Sequence, residues 1–188
     1  MPGCRGPPRS RIGRGGSFIL ILHRRDDGLT GEELYCSLRD DNGDWDHPEH
    51  LDGSVLGMDV TRLHTVEETL AGAPLRVLGE SASLILTGTA ADADAGTEHD
   101  PEDDGHQLVH VWTLLPANGT DHIDIERTAP RFPSLPVRPE HIRRVVTGPV
   151  HFVALLPGES ARITASPRTP EAAGAGHDSV LELRHPEL

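Results

Sequence analysis

Residues 107–115 read QLVHVWTLL, and this stretch decides the fold. Successive side chains of a strand point to opposite faces of its sheet, so the stretch divides into two alternating sets. Both sets are mostly apolar, which is typical of a strand in a sheet that is covered on both faces. We therefore predict that Gln107–Leu115 is a strand in the centre of a sheet.

The sequence that follows predicts a hairpin. Pro116, Ala117, Asn118 and Gly119 form a turn signal, because Asn-Gly pairs favour tight reversals of the chain. Residues 121–127 then alternate polar side chains with two isoleucines, as a half-buried strand does. The strands at 107–115 and 121–127 are therefore expected to pair with each other.

Further strands are indicated by short apolar runs that end at Gly, Pro, Asn or Asp. The runs Val150–Leu156 and Ala161–Ala165 are separated by Pro157-Gly158-Glu159 and predict a second hairpin. The other predicted strands are Ser17–His23, Glu33–Leu38, Leu75–Leu78, Ala82–Thr89 and Ser179–Arg184.

Two segments predict helices. Met58–Ala71 carries apolar residues three and four apart and is followed by Gly72 and Pro74, which end helices. A capping box of Thr65 and Glu68 is the alternative, and it would begin a shorter helix at Val66. A second short helix is predicted over residues 139–146, because proline is favoured at the first helical position.

About nine strands with one or two short helices predict a mainly β, single-domain protein, either a β-sandwich or barrel-like. An α+β fold is the alternative if both helices are longer than predicted. Within this plan the chain divides into four parts. They are a disordered basic arm (1–16), a β-rich domain (17–166) with a mobile acidic loop (90–105), an Ala/Gly/Pro-rich linker (167–178) and a terminal edge strand with its tail (179–188).

The basic residues are all arginine, and they are unevenly distributed. The absence of lysine excludes Schiff-base chemistry and phosphate-loop lysines, and the composition suggests a GC-rich bacterial genome. Residues 26–126 hold twenty-four carboxylates and only three arginines. A body this acidic repels nucleic acid and anionic membranes, so we expect neither as a partner of the folded body. It favours cations or a protein partner with a basic face.

The two cysteines, Cys4 and Cys36, match neither a disulfide framework nor a zinc-binding spacing. The apolar run at 18–22 is too short to span a membrane and is followed by charged residues. Both observations predict a reduced, cytoplasmic protein.

An acidic turn is the first candidate metal site. Asp40, Asn42, Asp44 and Asp46 place oxygen ligands at every second residue around an Asn-Gly turn. Ca²⁺ takes six to eight such oxygens, so calcium is the candidate cofactor. The stretch lacks the glycine and the distal glutamate of an EF-hand loop.

A pair of histidines is the second candidate metal site. His106 and His110 are four residues apart and lie on one face of either a strand or a helix, which suggests a transition-metal site. No HExxH motif, nucleophile elbow or nucleotide-binding glycine loop accompanies them. We therefore assign no catalytic and no cofactor-binding residue.

The leading hypothesis from the sequence is a non-enzymatic, acidic protein-interaction module. One alternative is a metal-binding domain, using calcium or a transition metal, with metal-dependent catalysis as its extension. The other alternative is a structural subunit of a larger assembly.

Overall fold

The computed structural model describes residues 9–12, 16–39, 42–86, 106–128, 140–167 and 180–186. This part of the chain forms strands and one short helix. The elements are β1 (Arg9–Ile12), β2 (Gly16–Arg24), β3 (Thr30–Leu38), β4 (Glu49–Val55), α1 (Leu63–Leu70), β5 (Leu75–Leu86), β6 (His106–Pro116), β7 (Thr120–Thr128), β8 (Glu140–Val145), β9 (His151–Leu155), β10 (Ser160–Pro167) and β11 (Val180–Arg184). The prediction of a mainly β protein is confirmed.

The strands form three antiparallel sheets. The front sheet has the order β1-β2-β3-β4, the middle sheet β5-β6-β9, and the back sheet β11-β10-β7-β8. The middle sheet has three strands, and β6 is its central strand. The sheets pack face to face, so the described part of the chain is a sandwich with three layers.

The two faces of β6 explain the layering. Val109, Val111 and Leu115 point forward into a core that they share with Phe18 and Leu34 of the front sheet. Trp112 and Leu114 point backward into a second core with residues of the back sheet, among them Ile123, Ile125 and Ile163. Burial of both faces removes apolar area from water on each side. Each Å² of apolar surface buried in this way stabilises the fold by roughly 25 cal/mol. The prediction that 107–115 is a central strand is confirmed.

The two predicted hairpins are wrong. Strand β6 pairs with β5 and β9, whereas β7 pairs with β8 and β10 in the back sheet, so 107–115 and 121–127 do not pair with each other. The strands at 150–156 and 161–165 are also in different sheets, with β9 in the middle sheet and β10 in the back sheet. Each of the two turns therefore joins two layers rather than two neighbouring strands, because burial of both faces of the middle sheet places its sequence neighbours in the back layer.

Helix α1 is shorter than the first predicted helix and begins before the alternative start. Residues 58–62 form a turn instead, in which the Asp59 carboxylate accepts a hydrogen bond from the backbone N–H of Thr61. The Thr65 hydroxyl donates to backbone oxygens of Asp59 and Arg62 rather than forming a capping box. Val66 and Leu70, four residues apart, are the buried side chains that attach the helix to the front core.

The helix predicted over 139–146 is wrong, because its described residues form strand β8. Exposure along β8 alternates with a period of two, and Ile142 and Arg144 are its partly buried positions. The strand pairs with β7 along its whole length, from Glu140 to Val145. Backbone pairing with β7 therefore overrides the proline signal, and Pro139 itself lies outside the described residues.

Other strands differ from the predictions in their limits. The two strands predicted at 75–78 and 82–89 are one strand, β5, whose register shifts between Val77 and Gly79. Strand β4 has no predicted counterpart, because it lies at a sheet edge and its side chains are exposed or only half-buried. Residues 9–12, which the sequence placed in a disordered arm, pair with β2 as β1. The acidic loop at 90–105 lies outside the described residues, as does the linker from 168 onward.

Candidate functional site

The acidic turn closes a hairpin at the end of β3. The backbone N–H of Asp46 donates to Leu38 O at 2.8 Å, and Arg39 pairs with Trp45 in an isolated β-bridge. The Arg39 guanidinium lies 4.7 Å from the centre of the Trp45 ring, within the range of a cation–π contact. Gly43 has φ +85°, a backbone conformation that glycine adopts without strain.

The hairpin brings three of the four predicted calcium ligands onto one short loop: Asn42, Asp44 and Asp46. Asp40 lies outside the described residues. Asn42 and Asp44 have other interactions, and the described residues contain no group of three His, Cys, Asp or Glu arranged to hold a metal ion. Calcium binding at this turn stays a prediction.

We expect millimolar Ca²⁺ to raise the melting temperature if the acidic turn binds it. A ligand at a hundred times its Kd adds about 2.7 kcal/mol to the free energy of unfolding. The measurement is a thermal melt of chelator-treated protein with and without Ca²⁺. The Asp44→Ala variant should lose the gain, whereas Asp26→Ala, a matched change in a different turn, should keep it. A gain that survives in Asp44→Ala would place the ion elsewhere.

The two predicted metal-binding histidines both lie on β6. Strand geometry places the Cα atoms of His106 and His110 about 14 Å apart, because each residue advances the chain by roughly 3.4 Å. Side chains that stand parallel on one strand do not converge over that distance. The strand spacing therefore does not favour a shared ion, and the side chain of His106 lies outside the described part of the structure.

His110 instead belongs to an aromatic cluster on the back face of β6. Its ring stacks on Trp112 with the ring centres 4.3 Å apart, and the ring of His185 stands edge-on to it at 6.0 Å. The Nε2 atom of His110 is 3.6 Å from a carboxylate oxygen of Glu80 on β5. His185 lies just after β11 and makes a 3.1 Å hydrogen-bond contact from Nε2 to Leu108 O. The sequence pattern singled out His110 but gave no signal for these neighbours.

Charged side chains cover the outer backbone edge of β9. Arg127 of β7 donates to Ala154 O at 3.1 Å and to the Glu159 carboxylate at 2.6 Å. Arg144 of β8 donates to Phe152 O at 3.0 Å. Two guanidiniums from the back sheet thereby satisfy carbonyls of the middle sheet, which buried backbone requires.

Two further titratable groups are buried, His151 at the start of β9 and Cys36 in the front core. Burial and then the nearby Arg144 cation lower the pKa of His151 from 6.5 to about 4. Burial and then the Glu49 charge raise the pKa of the Cys36 thiol to about 11. A thiol with so high a pKa forms little thiolate at neutral pH, so Cys36 acts as a small apolar core residue rather than a nucleophile.

A cleft of about 500 Å³ opens between α1 and two turns of the β-sandwich. The turn from Pro116 to Thr120 forms one wall, and the connection from β8 to β9 forms another. Backbone hydrogen bonds hold both in place: Ala117 N–H donates to Pro74 O at 2.9 Å, and Val146 N–H donates to Asp121 O at 2.8 Å. The walls are thus anchored to the fold, and the cleft is a preformed feature.

The lining of the cleft is apolar on one side and polar on the other. Val60, Leu63 and Val66 provide the apolar side, and Leu63 is 51% exposed. Asn118 and Asp121 contribute polar groups from the opposite side, and the Asp121 side chain is 58% exposed. Turn signals predicted the 116–119 segment, but only the tertiary packing places it beside the helix.

Comparison with known proteins gives no relative to guide the interpretation. No family model matches the chain, and no curated protein and no solved structure is significantly similar to it. Among the described residues, no helix has the length and apolar character needed to cross a membrane. The candidate site therefore stands on its own geometry.

Proposed function

We propose that this protein is a non-enzymatic interaction module that binds a basic segment of a partner protein in the cleft beside α1. The observation that carries the proposal is the cleft itself. Its volume of about 500 Å³ falls within the range of ligand-binding pockets, and an exposed apolar side chain, Leu63, lies in its wall. An exposed leucine beside a concave surface can be covered by an apolar side chain of a partner.

Charge complementarity favours a basic partner. Glu67 is exposed on α1 four residues after Leu63, so its side chain lies along the same side of the helix. Asp121 supplies an exposed carboxylate from the opposite wall. The chain as a whole has a formal net charge of −13, which attracts cationic partners over distances of a Debye length. A partner segment with an apolar residue flanked by Arg or Lys fits both features.

The compartment proposed with this function is the cytosol. Cys36 is a free, buried thiol, and a reducing compartment keeps such a thiol in that form.

Selection from a random peptide library on the immobilised protein tests the proposed site. We expect enriched peptides to combine an apolar residue with flanking Arg or Lys, and to bind with Kd values of roughly 1–100 μM. Titration calorimetry with one enriched peptide then compares three proteins. Leu63→Glu should weaken binding at least about tenfold, which corresponds to about 1.4 kcal/mol. Leu84→Glu, which changes another exposed leucine that does not line the cleft, should bind like the wild type.

Two results would contradict the proposal. Equal binding by Leu63→Glu and the wild type would show that peptides bind at a different surface. Enrichment of acidic or uncharged sequences would show that the carboxylates do not select the partner. Raising the salt concentration provides a further check, because attraction between exposed charges weakens as the Debye length shortens.

A further inference from the structure

The back sheet leaves part of the middle sheet uncovered. Strands β7 and β8 reach the outer edge of β9, because Arg127 and Arg144 donate to carbonyls of that strand. On the other side of the back sheet, His185, which follows β11, contacts Leu108 O of β6. The back sheet is therefore displaced towards β9, and it ends above β6 rather than above β5.

The uncovered part is the second half of β5. Glu80 is the register partner of Trp112, whose side chain is buried in the back core, so Glu80, Ala82 and Leu84 alternate along the back face of β5. The first half of this face is covered, and Leu75 is buried there. Further along, Glu80 and Ala82 are exposed, and Leu84 is 64% exposed. Leu84 is thus a large apolar side chain above which the described chain places no further layer.

Strand β11 offers a free backbone edge beside this face. Along the described chain β11 pairs only with β10, so it is the last strand of the back sheet. In an antiparallel pair, alternate residues direct their N–H and C=O groups to the same neighbour. The backbone N–H of His185 donates to Glu159 O in continuation of the β10–β11 register, so the odd-numbered residues of β11 face β10. Val180, Glu182 and Arg184 consequently direct their backbone groups to the free edge.

The free edge of β11 and the exposed face of β5 at Glu80, Ala82 and Leu84 together form a step. We propose that this step binds one extended segment of a partner protein as a fifth strand of the back sheet. The outward N–H and C=O groups of β11 supply the backbone hydrogen bonds of this β-augmentation. Inward side chains of the added strand lie two residues apart and cover Ala82 and Leu84. Their contact removes the apolar surface of Leu84 from water, which favours binding.

Charge and shape select the segment. Glu80 is exposed at one end of the step, so a cationic side chain complements it, and the net charge of −13 attracts cationic partners. The segment that fits therefore has two apolar residues and one Arg or Lys at alternate positions. A second copy of the chain does not fit, because β5 projects beyond β11 and would collide with the middle sheet of that copy.

Fluorescence polarisation with two labelled peptides, TVTLTRT and its reverse TRTLTVT, tests the proposal. Both carry Val, Leu and Arg at alternate positions, and threonine favours an extended chain. The two orders cover both directions in which a strand can pair with β11. We expect one of them to bind with a Kd of roughly 10–100 μM, at least about tenfold more tightly than TTVLRTT, which has the same composition without the alternation.

Variants locate the bound peptide. Leu84→Glu places a carboxylate beneath the apolar residues and should weaken binding at least about tenfold, whereas Leu63→Glu in the cleft should bind like the wild type. The two leucines thus exchange roles between this experiment and the one on the cleft, so each site can fail separately. Glu80→Arg should weaken binding of the arginine peptide and strengthen binding of a peptide with Glu in place of its arginine. All three variants change exposed side chains, so they are expected to fold.

Amide hydrogen exchange measured by NMR reports on the backbone edge. The bound peptide should slow exchange of the Glu182 and Arg184 amides at least about tenfold, because a hydrogen-bonded amide exchanges only when its bond opens. The proposal is overturned if neither peptide order binds more tightly than TTVLRTT, if Leu84→Glu binds like the wild type, or if these two amides stay unprotected.

Discussion

Replacing Arg127 with alanine is expected to lower the free energy of unfolding by about 3–5 kcal/mol, the typical cost of breaking a buried ion pair from one side. The Arg127 side chain is 9% exposed and the Glu159 side chain 16%, so water solvates neither charge well. The substitution leaves the Glu159 carboxylate without its cation. It also removes the donor to Ala154 O at the edge of β9.

Chemical denaturation with urea measures this effect from the midpoint and slope of unfolding. Arg162→Ala is the matched control, because Arg162 is exposed on the neighbouring strand β10 and should change stability by less than about 0.5 kcal/mol. The double variant Arg127→Met with Glu159→Met should be more stable than Arg127→Met alone, since no unpaired charge then remains. A loss below about 1 kcal/mol for Arg127→Ala would mean that the pair does not hold the back and middle sheets together.

The second large effect is a loss of stability as the pH falls from about 6.5 towards 4, and it originates at His151. The pKa of His151 is about 4 in the folded chain, against an ordinary value of 6.5. Between these values the unfolded chain binds a proton that the folded chain excludes, so acid favours unfolding. The stabilisation is complete above about pH 6.5, is lost progressively down to about pH 4, and amounts to about 3 kcal/mol.

Stability measured by urea unfolding across this pH range tests the assignment. His151→Leu cannot titrate, so its stability should depend less on pH in this window than that of the wild type. His64→Leu, which replaces an exposed histidine on α1, should keep the full dependence. Parallel curves for the wild type and His151→Leu would assign the proton uptake to other groups. Asp59 and Asp124 have lowered pKa values, so their contributions are lost only at more acidic pH.

Both effects arise in one part of the fold, between the middle and back sheets. Arg127 and Arg144 reach across from the back sheet to the carbonyls of β9, and His151 begins that strand. A three-stranded middle sheet has two edges close to its centre, so its backbone polar groups need partners from the neighbouring layers. Apolar packing alone would leave carbonyls of β9 without hydrogen-bond partners. The charged side chains of Arg127 and Arg144 therefore lie in this interior and donate to them.

How much of this could be predicted depends on whether the signal is local. The two apolar faces of 107–115 and the alternation over 121–127 are properties of short stretches, and both strands formed, although they lie in different sheets and do not pair as predicted. The helix wrongly predicted over 139–146 and strand β4, which was not predicted, are the opposite case. Their conformation depends on backbone hydrogen bonds to β7 and β3, which no local pattern reports.

The candidate site shows the same division. The sequence indicated the turn at 116–119, the acidic hairpin at 40–46 and His110 as separate features. It could not place Leu63 opposite Asp121, nor Glu80 and His185 around His110, because these residues are far apart in the chain. Leu63 meets Asp121, and His110 meets His185, only when the layers pack against each other. Glu80 lies beside His110 because their strands, β5 and β6, pair in the middle sheet.

The sequence by itself determined that this protein is mainly β, that β6 is buried on both faces, and that its body is acidic. These properties follow from residue type and period-two spacing, which act within a few residues. Only the tertiary structure decided that there are three layers, that Arg127 and Arg144 satisfy the edge of β9, and that a cleft opens beside α1. Contacts between distant segments form when apolar faces are buried together. Which segments come into contact therefore depends on packing between the sheets, and not on the residues adjacent to each segment in the chain.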